Sequence, residues 1–469
     1  MPPVDIPVSP NVEHVKTALL RQYYRWRRWI PPQLLYHRDY FLVQELLNAD
    51  TKRQAEIADA RLRAVLTSAV THVPYYRARV RLDANALRHA PVSELIEDFP
   101  YIDKTEVMAH RHDFLDERLN RRFLHYAASN GSTGTGIGVW RSKSEGDIEK
   151  AFYAHEWGKF GFQFHSSRYV RIGCDALRPL DAPPSWRLGN RLMLSPDHLQ
   201  PRHRGAIVDA LNRFRPQFIH AYPSSALELA ELLTPGQLDF SLRGVLLGSE
   251  PASPCQLATI ERAFGAPVSI SYGLTERSNL AFATCANGIL SPYRFEPLYG
   301  LTETRAHEDG NEIVGTSLWN MSMPLIRYCT RDFADIDAYG RCDAIQGRLQ
   351  EFVVDRHGRL LSGLTIALEA DIWDFIKACQ LYQREPGKVT MRVVPRDQTL
   401  TPEQERALLA SPRQHWGSVM EFECVMVSAI PAGPGGKRRF VINECFASAP
   451  RPGLERPLTP AVLAKQLTG

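Results

Sequence analysis

The residue types between positions 129 and 136 are suited to binding an anion. This stretch, Ser-Asn-Gly-Ser-Thr-Gly-Thr-Gly, holds three glycines and four hydroxyl residues, and it follows a short apolar run at 123–128. Glycines let backbone N–H groups turn toward a phosphate, and hydroxyls add further donors. A P-loop would need a lysine after its last glycine, but Thr135 follows Gly134. The stretch alone therefore leaves two interpretations open, a phosphate loop of another kind or a flexible surface turn.

Five further stretches place polar or charged residues at predicted strand ends or in loops. They are residues 248–251, 271–276, 325–332, 347–351 and 431–439. The first two follow apolar runs, the third ends in Asp332, and the last presents Lys437 on a loop rich in glycine and proline. These groups could bind an anion together with residues 129–136.

Strands and helices alternate in the region that must position these groups. Apolar runs predict strands at 169–173, 218–221, 244–248 and 268–271, and helical spacing predicts helices at 224–233 and 254–264. Another helical pattern within 50–80 is interrupted at Pro74. The alternation indicates an α/β fold with a parallel or mixed sheet, whose ligands bind beyond the carboxyl ends of the strands.

The chain after residue 347 has a different pattern, typical of a small α+β module. It predicts a hairpin at 352–360, a helix at 368–379, and strands at 389–394 and 420–426. Roughly a hundred residues is a common domain size. The last twenty or so residues are rich in proline and alanine and are interpreted as an appendage.

Length and charge exclude some classes of protein. The chain has 469 residues, 44% of them hydrophobic and 23% charged, with a formal net charge of +4. This length predicts two or three domains, and the small charge argues against a nucleic-acid-binding protein. An arginine- and aromatic-rich cluster at 21–29 favours an amphipathic helix with arginine stems over the rings, with a peripheral membrane contact as the alternative.

Cysteine usage and hydropathy indicate the compartment. The eight cysteines include no C-x-x-C pair, which favours reduced thiols in the cytoplasm. The N-terminus lacks the pattern of a signal peptide, and no run of about 18 apolar residues occurs. We therefore expect a cytoplasmic protein without a transmembrane segment.

In their order and gaps, these stretches resemble the motif set of adenylate-forming enzymes, the superfamily of acyl-coenzyme A synthetases and peptide-synthetase adenylation domains. Residues 69–77, 99–104, 220–224 and 320–328 look most like the phenylacetate–coenzyme A ligase branch and its capsule-biosynthesis relatives. The resemblance covers residues 69–442. It implies a large N-terminal domain with mixed sheets and flanking helices, and a smaller, mobile α+β C-terminal domain. The implied bounds are 1–347 for the ATP- and substrate-binding domain (with a helical lead-in, 1–98), 348–352 for a hinge, 353–446 for the mobile domain, and 447–469 for the tail.

The resemblance implies roles for the residues that face the phosphates. Ser132, Thr133 and Gly134 match the loop that wraps the β- and γ-phosphates. Thr275 matches the hydroxyl that contacts the α-phosphate, and Glu276 matches the carboxylate that reaches Mg²⁺.

It likewise implies a nucleoside site. Gly248 and Glu250 lie in the strip that borders the adenine. Tyr272 matches the aromatic residue that stacks on the adenine, and Gly273 follows Tyr272 in the same motif. Asp332 matches the acid that binds the ribose hydroxyls, and Arg348 matches an arginine that assists there.

The remaining roles concern catalysis, the hinge and the acid substrate. Lys437 matches the mobile lysine that bridges the substrate carboxylate and the α-phosphate, and Glu351 falls at the hinge. His220, Tyr222 and Ser271 are candidates for the substrate pocket, although a histidine at the core edge is nearly as good an interpretation of His220.

The chain departs from the family pattern in four places. Asn130 replaces a Ser or Thr and Gly136 replaces a proline, which predicts a looser phosphate loop. Arg331 stands where glycine is usual before the ribose acid, and Glu351 replaces an Asp. None of these changes removes a group that the chemistry needs.

The resemblance therefore implies a ligase that uses ATP and Mg²⁺ to convert a carboxylic acid, aryl or acyl, into an acyl-adenylate and pyrophosphate. Transfer of the acyl group to coenzyme A is the expected second step. Transfer to an amine is one alternative, and a nucleotide-binding protein without turnover is another. We expect small-molecule partners and no nucleic acid, and a homodimer stays open.

Overall fold

The computed structural model describes residues 22–24, 26, 29–129, 137–179, 181–250, 252, 254–307, 310–345, 352–358, 360–362, 375–430 and 441–445. The chain divides into two compact units, with the division between residues 350 and 351. Helices and strands are mixed in both units, which confirms the predicted α/β class.

The larger unit begins with a run of helices and continues with helices placed between strands. Its helices are α1 (Pro32–Leu35), α2 (Arg38–Leu47), α3 (Thr51–His72), α4 (Pro74–Arg79), α5 (Ala84–His89), α6 (Val92–Leu95), α7 (Lys104–Ala109), α8 (Lys143–Gly158), α9 (Arg204–Phe214), α10 (Pro223–Leu232) and α11 (Pro254–Phe264). Short 3₁₀ turns lie at Ile96–Asp98, Arg121–Phe123, Cys174–Ala176, Pro196–His198 and Pro201–His203.

The strands of the larger unit are β1 (His125–Ser129), β2 (Ile137–Arg141), β3 (Tyr169–Ile172), β4 (Ser185–Leu188), β5 (Arg191–Leu194), β6 (Phe218–Ala221), β7 (Gly244–Gly248), β8 (Val268–Gly273), β9 (Leu280–Ala286), β10 (Ile289–Leu290), β11 (Tyr293–Phe295), β12 (Gly300–His307), β13 (Gly310–Ser317), β14 (Tyr328–Phe333) and β15 (Arg341–Cys342). The predicted strands at 169–173, 218–221, 244–248 and 268–271 correspond to β3, β6, β7 and β8.

Among the described residues, ten of these strands form one mixed sheet. Strands β5, β3, β6, β7 and β8 are parallel neighbours, and antiparallel strands extend the sheet on both sides. Helices α10 and α11 connect β6 to β7 and β7 to β8, because parallel strands need a crossover. Val245, Leu246 and Leu247 of β7 are fully buried, as expected for a strand covered on both faces.

Two smaller sheets complete this unit. Strands β12, β13 and β14 form an antiparallel sheet, and β1 pairs with β2.

Local capping explains why α8 starts where it does after β2. The carboxylate of Glu145 accepts a 2.8 Å hydrogen bond from the backbone N–H of Ser142, which together with the Ser142 side chain forms a capping box.

The smaller unit contains β16 (Phe352–Val354), β17 (Leu360–Ser362), β18 (Ile376–Glu385), β19 (Lys388–Pro395), α12 (Pro402–Trp416), β20 (Glu421–Met426) and β21 (Val441–Asn443). The last four strands form a sheet in the order β20-β19-β18-β21. The buried Gln383 amide of β18 donates to the carbonyl of Val354 and accepts from its N–H, both at 2.6 Å, and so ties the β16–β17 hairpin to the sheet.

The prediction of a helix at 368–379 is wrong for those of its residues that the structure describes. Residues from Ile376 onward belong to β18, and residues 368–374 lie outside the described part of the chain. The physical reason is the antiparallel partner: Cys379 pairs with Val393 of β19, and the ladder hydrogen bonds to this strand hold the segment extended.

Candidate functional site

The carboxyl ends of β6, β7 and β8 bring several predicted residues to one edge of the main sheet. Gly248 pairs with Ser271 across β7 and β8, and the Ser271 hydroxyl donates a 3.1 Å hydrogen bond to the carbonyl of Leu247. A Cβ atom at Gly248 would lie 2.4 Å from Ser271 Oγ, too close for two non-bonded atoms. Glycine at 248 therefore permits the close approach of these two strand ends.

Glu250 connects the end of β7 to the start of α10. Its carboxylate is buried, and Oε2 accepts a 3.2 Å hydrogen bond from the backbone N–H of Ser224 in the first turn of that helix. Burial raises the pKa of Glu250, while the hydrogen bonds from Ser224 oppose the shift. The intervening Ser249 has a positive φ of 69°, a conformation that turns the chain sharply after β7.

Tyr272 and Asp332, predicted to hold the two ends of a nucleoside, are in direct contact. The Tyr272 hydroxyl at the end of β8 donates a 2.8 Å hydrogen bond to Asp332 Oδ2 on β14. Asp332 is buried, and its backbone N–H donates to Thr330 Oγ1 at 3.1 Å. Burial raises the pKa of Tyr272 well above 10, and the Asp332 carboxylate adds to the shift. The contact joins the main sheet to the three-stranded sheet.

Arg331, the unusual residue before Asp332, has a φ of 63°. This left-handed conformation explains why glycine suits the position, since a side chain there costs about 1 kcal/mol or more. Two acids offset the cost. The Arg331 backbone N–H donates to Glu312 Oε1 at 3.1 Å, and the guanidinium lies 3.5 Å from Asp103.

Glu276, the predicted Mg²⁺ ligand, is buried and accepts a 2.6 Å hydrogen bond from the hydroxyl of Tyr328. Thr275 beside it is partly buried. No cluster of three or more metal-ligating side chains occurs among the described residues. A single carboxylate nevertheless fits the way in which Mg²⁺ binds nucleotides, through one or two carboxylates together with the phosphate oxygens.

The substrate candidates lie next to an aromatic wall that sequence analysis missed. Trp157 of α8 packs against His220 with ring centroids 5.0 Å apart, and the hydroxyl of Tyr153 lies 3.4 Å from Ser271 Oγ. Burial lowers the pKa of His220 well below 6.5, and Arg171 and Arg191 add to the shift, so the imidazole is neutral. The i, i+4 spacing of Tyr153 and Trp157 was the available signal, because it places both rings on one helix face.

Tyr222, the third substrate candidate, is the N-cap residue of α10. The guanidinium of Arg171 on β3 stands 5.9 Å from the centre of its ring, and the same guanidinium donates a 2.8 Å hydrogen bond to Asp175. Tyr222 therefore occupies the edge between β6 and the N-terminus of α10, where the chain leaves the sheet.

A second group that sequence analysis missed is a pair of buried arginines. Arg277 follows Glu276 directly and lies 2.5 Å from Glu149 of α8, whose other oxygen accepts a 3.2 Å hydrogen bond from Tyr299. Within the described part of the chain, Nε and Nη2 of Arg141 have no hydrogen-bond partner, and neither has Nε of Arg277. Burial and the neighbouring Arg277 lower the pKa of Arg141. The carboxylates of Glu149 and Glu145 lie close enough to both guanidinium groups to act on them electrostatically.

Six predicted site residues lie outside the described part of the chain. They are Ser132, Thr133, Gly134, Arg348, Glu351 and Lys437. Their roles stay predictions.

Residues 357–444 match the family model described as the CapK C-terminal domain. Over 368 residues the chain is 21% identical to Protein CapK of Staphylococcus aureus, a match that covers 74% of this chain and 80% of that protein. These two matches confirm the predicted resemblance to the capsule-biosynthesis branch.

Two solved structures are among those to which the chain is similar. One is 2-hydroxyisobutyryl-CoA ligase in complex with 2-HIB-AMP and CoA, with a TM-score of 0.48, 18% identity, and coverage of 90% of this chain and 93% of that one. The other is the amide bond synthetase McbA from Marinactinospora thermotolerans, with a TM-score of 0.38, 21% identity, and coverage of 68% of this chain and 69% of that one.

Within the described residues, no helix is long and apolar enough to cross a membrane.

Proposed function

We propose that this CapK-like chain is an AMP-forming ligase that activates a carboxylic acid with ATP. The observation that carries the proposal is the contact of Tyr272 with Asp332 at the strand ends where Glu276 is also found. An aromatic ring and an acid in contact suit the adenine and ribose of one nucleotide. In α/β folds, nucleotides bind beyond the carboxyl ends of parallel strands.

The nucleoside is held by groups already fixed in position. Asp332 accepts hydrogen bonds from the ribose hydroxyls, and Tyr272 orients its carboxylate from the other side. Glu250 borders the adenine, steadied by the backbone N–H of Ser224. Because these side chains are oriented by their own hydrogen bonds, they lose little conformational entropy when ATP binds.

The first reaction joins two anions, which repel each other. An oxygen of the substrate carboxylate attacks the α-phosphorus and forms an acyl–phosphate bond, while the bond between the α-phosphorus and the bridging oxygen breaks and pyrophosphate leaves. Glu276 would hold Mg²⁺, which offsets charge on the phosphates. Thr275 donates to the α-phosphate, and Tyr328 keeps the Glu276 carboxylate oriented.

Two further parts of this mechanism rest on the resemblance. Ser132, Thr133 and Gly134 would wrap the phosphates that leave as pyrophosphate. Lys437 would bridge the substrate carboxylate and the α-phosphate, where charge develops in the transition state. As part of a separate small domain, this lysine could be delivered by domain closure and then withdrawn for the second reaction.

The acid pocket is assigned to the aromatic wall of Tyr153 and Trp157 with His220. A neutral imidazole beside two aromatic rings provides an apolar surface with one hydrogen-bonding edge. Such a surface suits an aryl or medium-length acyl acid. Coenzyme A is the proposed acceptor of the activated acyl group.

The experiment is a screen for pyrophosphate release from ATP over aryl, fatty and amino acids, with and without coenzyme A and with amines added. We expect release to depend on the acid, and a thioester to form with coenzyme A. An amide product would keep the adenylation step but replace the acceptor. Tight ATP binding without pyrophosphate release over the whole panel would overturn the proposal.

A further inference from the structure

The N-terminal aromatic cluster, defined by the described residues Tyr23, Tyr24, Trp26, Trp29 and Leu34, combines exposed rings with a basic stretch of sequence. Four of the twelve large hydrophobic side chains that are exposed in the described part of the chain fall within it. They are Tyr23, Trp26, Trp29 and Leu34, which are 43%, 55%, 70% and 78% exposed. Such a concentration of exposed apolar surface in one short segment marks an interaction site.

Contacts on the inner side of the cluster hold it against the larger unit. The ring of Tyr24 lies under the guanidinium of Arg191 on β5 at 4.7 Å, and its backbone packs closely on Gly189 in the β4–β5 turn. The arginine over the Tyr24 ring thus comes from another element, and the expected covering of rings by arginine stems within 21–29 stays a prediction. Trp26 and Trp29 keep more than half of their surface exposed.

The sequence around these rings is entirely basic in charge. Between Glu13 and Asp39 the sequence has no acidic residue, and its basic residues are Lys16, Arg21, Arg25, Arg27, Arg28 and Arg38. The β4–β5 hairpin on which Tyr24 rests adds the exposed Arg187 and the partly buried Arg191. Tryptophan and tyrosine prefer the headgroup region of a bilayer, and each Lys or Arg near an anionic leaflet is attracted to it.

We propose that this cluster docks the protein on the surface of an anionic lipid bilayer. Tyr23, Trp26 and Trp29 insert at headgroup level, while the exposed Arg187 and the net positive charge of the sequence attract the segment to lipid phosphates. Aliphatic Leu34 favours a bilayer over a nucleic acid, because bases stack on rings but gain little from an isolated leucine. The contact is peripheral. Insertion of apolar side chains and attraction of basic charge together can hold a protein on a bilayer without a membrane-spanning segment. This inference does not depend on the proposed enzymatic reaction.

The test is co-sedimentation of the full chain with vesicles of equimolar phosphatidylglycerol and phosphatidylcholine, and with vesicles of phosphatidylcholine alone. We expect binding to the anionic vesicles that falls with added salt, and at most weak binding to the neutral ones. The double variant Trp26→Ala/Trp29→Ala should lower the partition coefficient on anionic vesicles at least about ten-fold.

The matched control is Phe123→Ala/Tyr339→Ala, which removes two rings that are 84% and 78% exposed elsewhere on the larger unit. This control should bind vesicles as the native chain does, and circular dichroism should show the same melting curve for all three proteins. Unchanged binding of the tryptophan variant, an equal loss in the control, or binding to a DNA oligonucleotide but not to vesicles would overturn the proposal.

Discussion

The hydroxyl of Tyr328 donates a 2.6 Å hydrogen bond to Oε1 of the buried Glu276. Tyr328 opens β14 in the three-stranded sheet, whereas Glu276 follows β8 of the main sheet. The bond therefore joins two sheets at the carboxylate that is proposed to reach the metal, and a donor in this place fixes the orientation of that carboxylate.

Replacing Tyr328 with Phe removes this donor and keeps the ring. We expect the Mg²⁺ concentration for half-maximal pyrophosphate release to rise about ten-fold, the lower end of what loss of a hydrogen bond to a metal ligand usually causes. Tyr293→Phe, a buried tyrosine of β11, is the matched control and should leave the Mg²⁺ dependence as it is. Identical Mg²⁺ curves for Tyr328→Phe and the native chain would remove Tyr328 from the site.

Asp332→Asn tests the ribose contact at constant side-chain size. Hydrogen bonds to a charged group contribute about 1.5–3 kcal/mol, so the Kd for ATP measured by calorimetry should rise about ten-fold or more. Asp335→Asn serves as the control, because that exposed acid lies three residues further on and accepts only a 2.8 Å hydrogen bond from Asn311 among the contacts described. Nucleotide affinity that does not distinguish the two variants would contradict the assignment.

Gly248→Ala tests the close approach of β7 and β8. The new methyl group would meet Ser271 Oγ at 2.4 Å, and overpacking of this kind usually costs about 1–3 kcal/mol of unfolding free energy. In Gly248→Ala/Ser271→Ala the next atom of residue 271 is its carbonyl oxygen at 3.7 Å, so most of the loss should be recovered. Denaturant titrations of the double-mutant cycle measure the coupling, and additive losses would show that the contact is not the cause.

Glu296 should make stability depend on pH. Burial, with Glu156 nearby, raises the pKa of this carboxyl from 4.5 to about 7. The folded state therefore holds a proton that the unfolded chain releases. The contribution of this proton to the free energy of unfolding is fully present below pH 4.5 and is lost as pH rises through 7. The loss by pH 8 is about 3 kcal/mol.

Glu296→Gln keeps the neutral form at every pH. Its melting temperature should stay nearly level between pH 5 and 8, where that of the native chain falls. Glu94→Gln, at an exposed position of α6, should reproduce the native decline. A decline of the same size in Glu296→Gln would show that another group is responsible.

The parallel strands could be predicted because their burial leaves a direct mark on the sequence. Runs such as Val245-Leu246-Leu247 are apolar at every position, and the polar residues that follow them indicate where the chain reaches the sheet edge. The resemblance implied separate nucleotide roles for Tyr272 and Asp332, and their direct hydrogen bond required the structure.

Other features depend on contacts between distant parts of the chain. Tyr153 meets Ser271 across 118 positions, and nothing in the local pattern of α8 points to that partner. The same holds for the start of β18, which was predicted as the end of a helix and pairs with β19. The left-handed Arg331 is a third case, because Glu312 and Asp103 come from other elements.

The proposed adenylation is tested most directly by the fate of the carboxylate oxygen. The chain would be incubated with ATP, Mg²⁺, coenzyme A and hydroxylamine, together with acids labelled with ¹⁸O in the carboxylate, and the nucleotide product would be weighed by mass spectrometry. If the acid attacks the α-phosphorus, one labelled oxygen must remain on the AMP after the acyl group is transferred. Lys437→Ala should abolish this product. Formation of ADP, or of AMP that carries no label, would contradict the account.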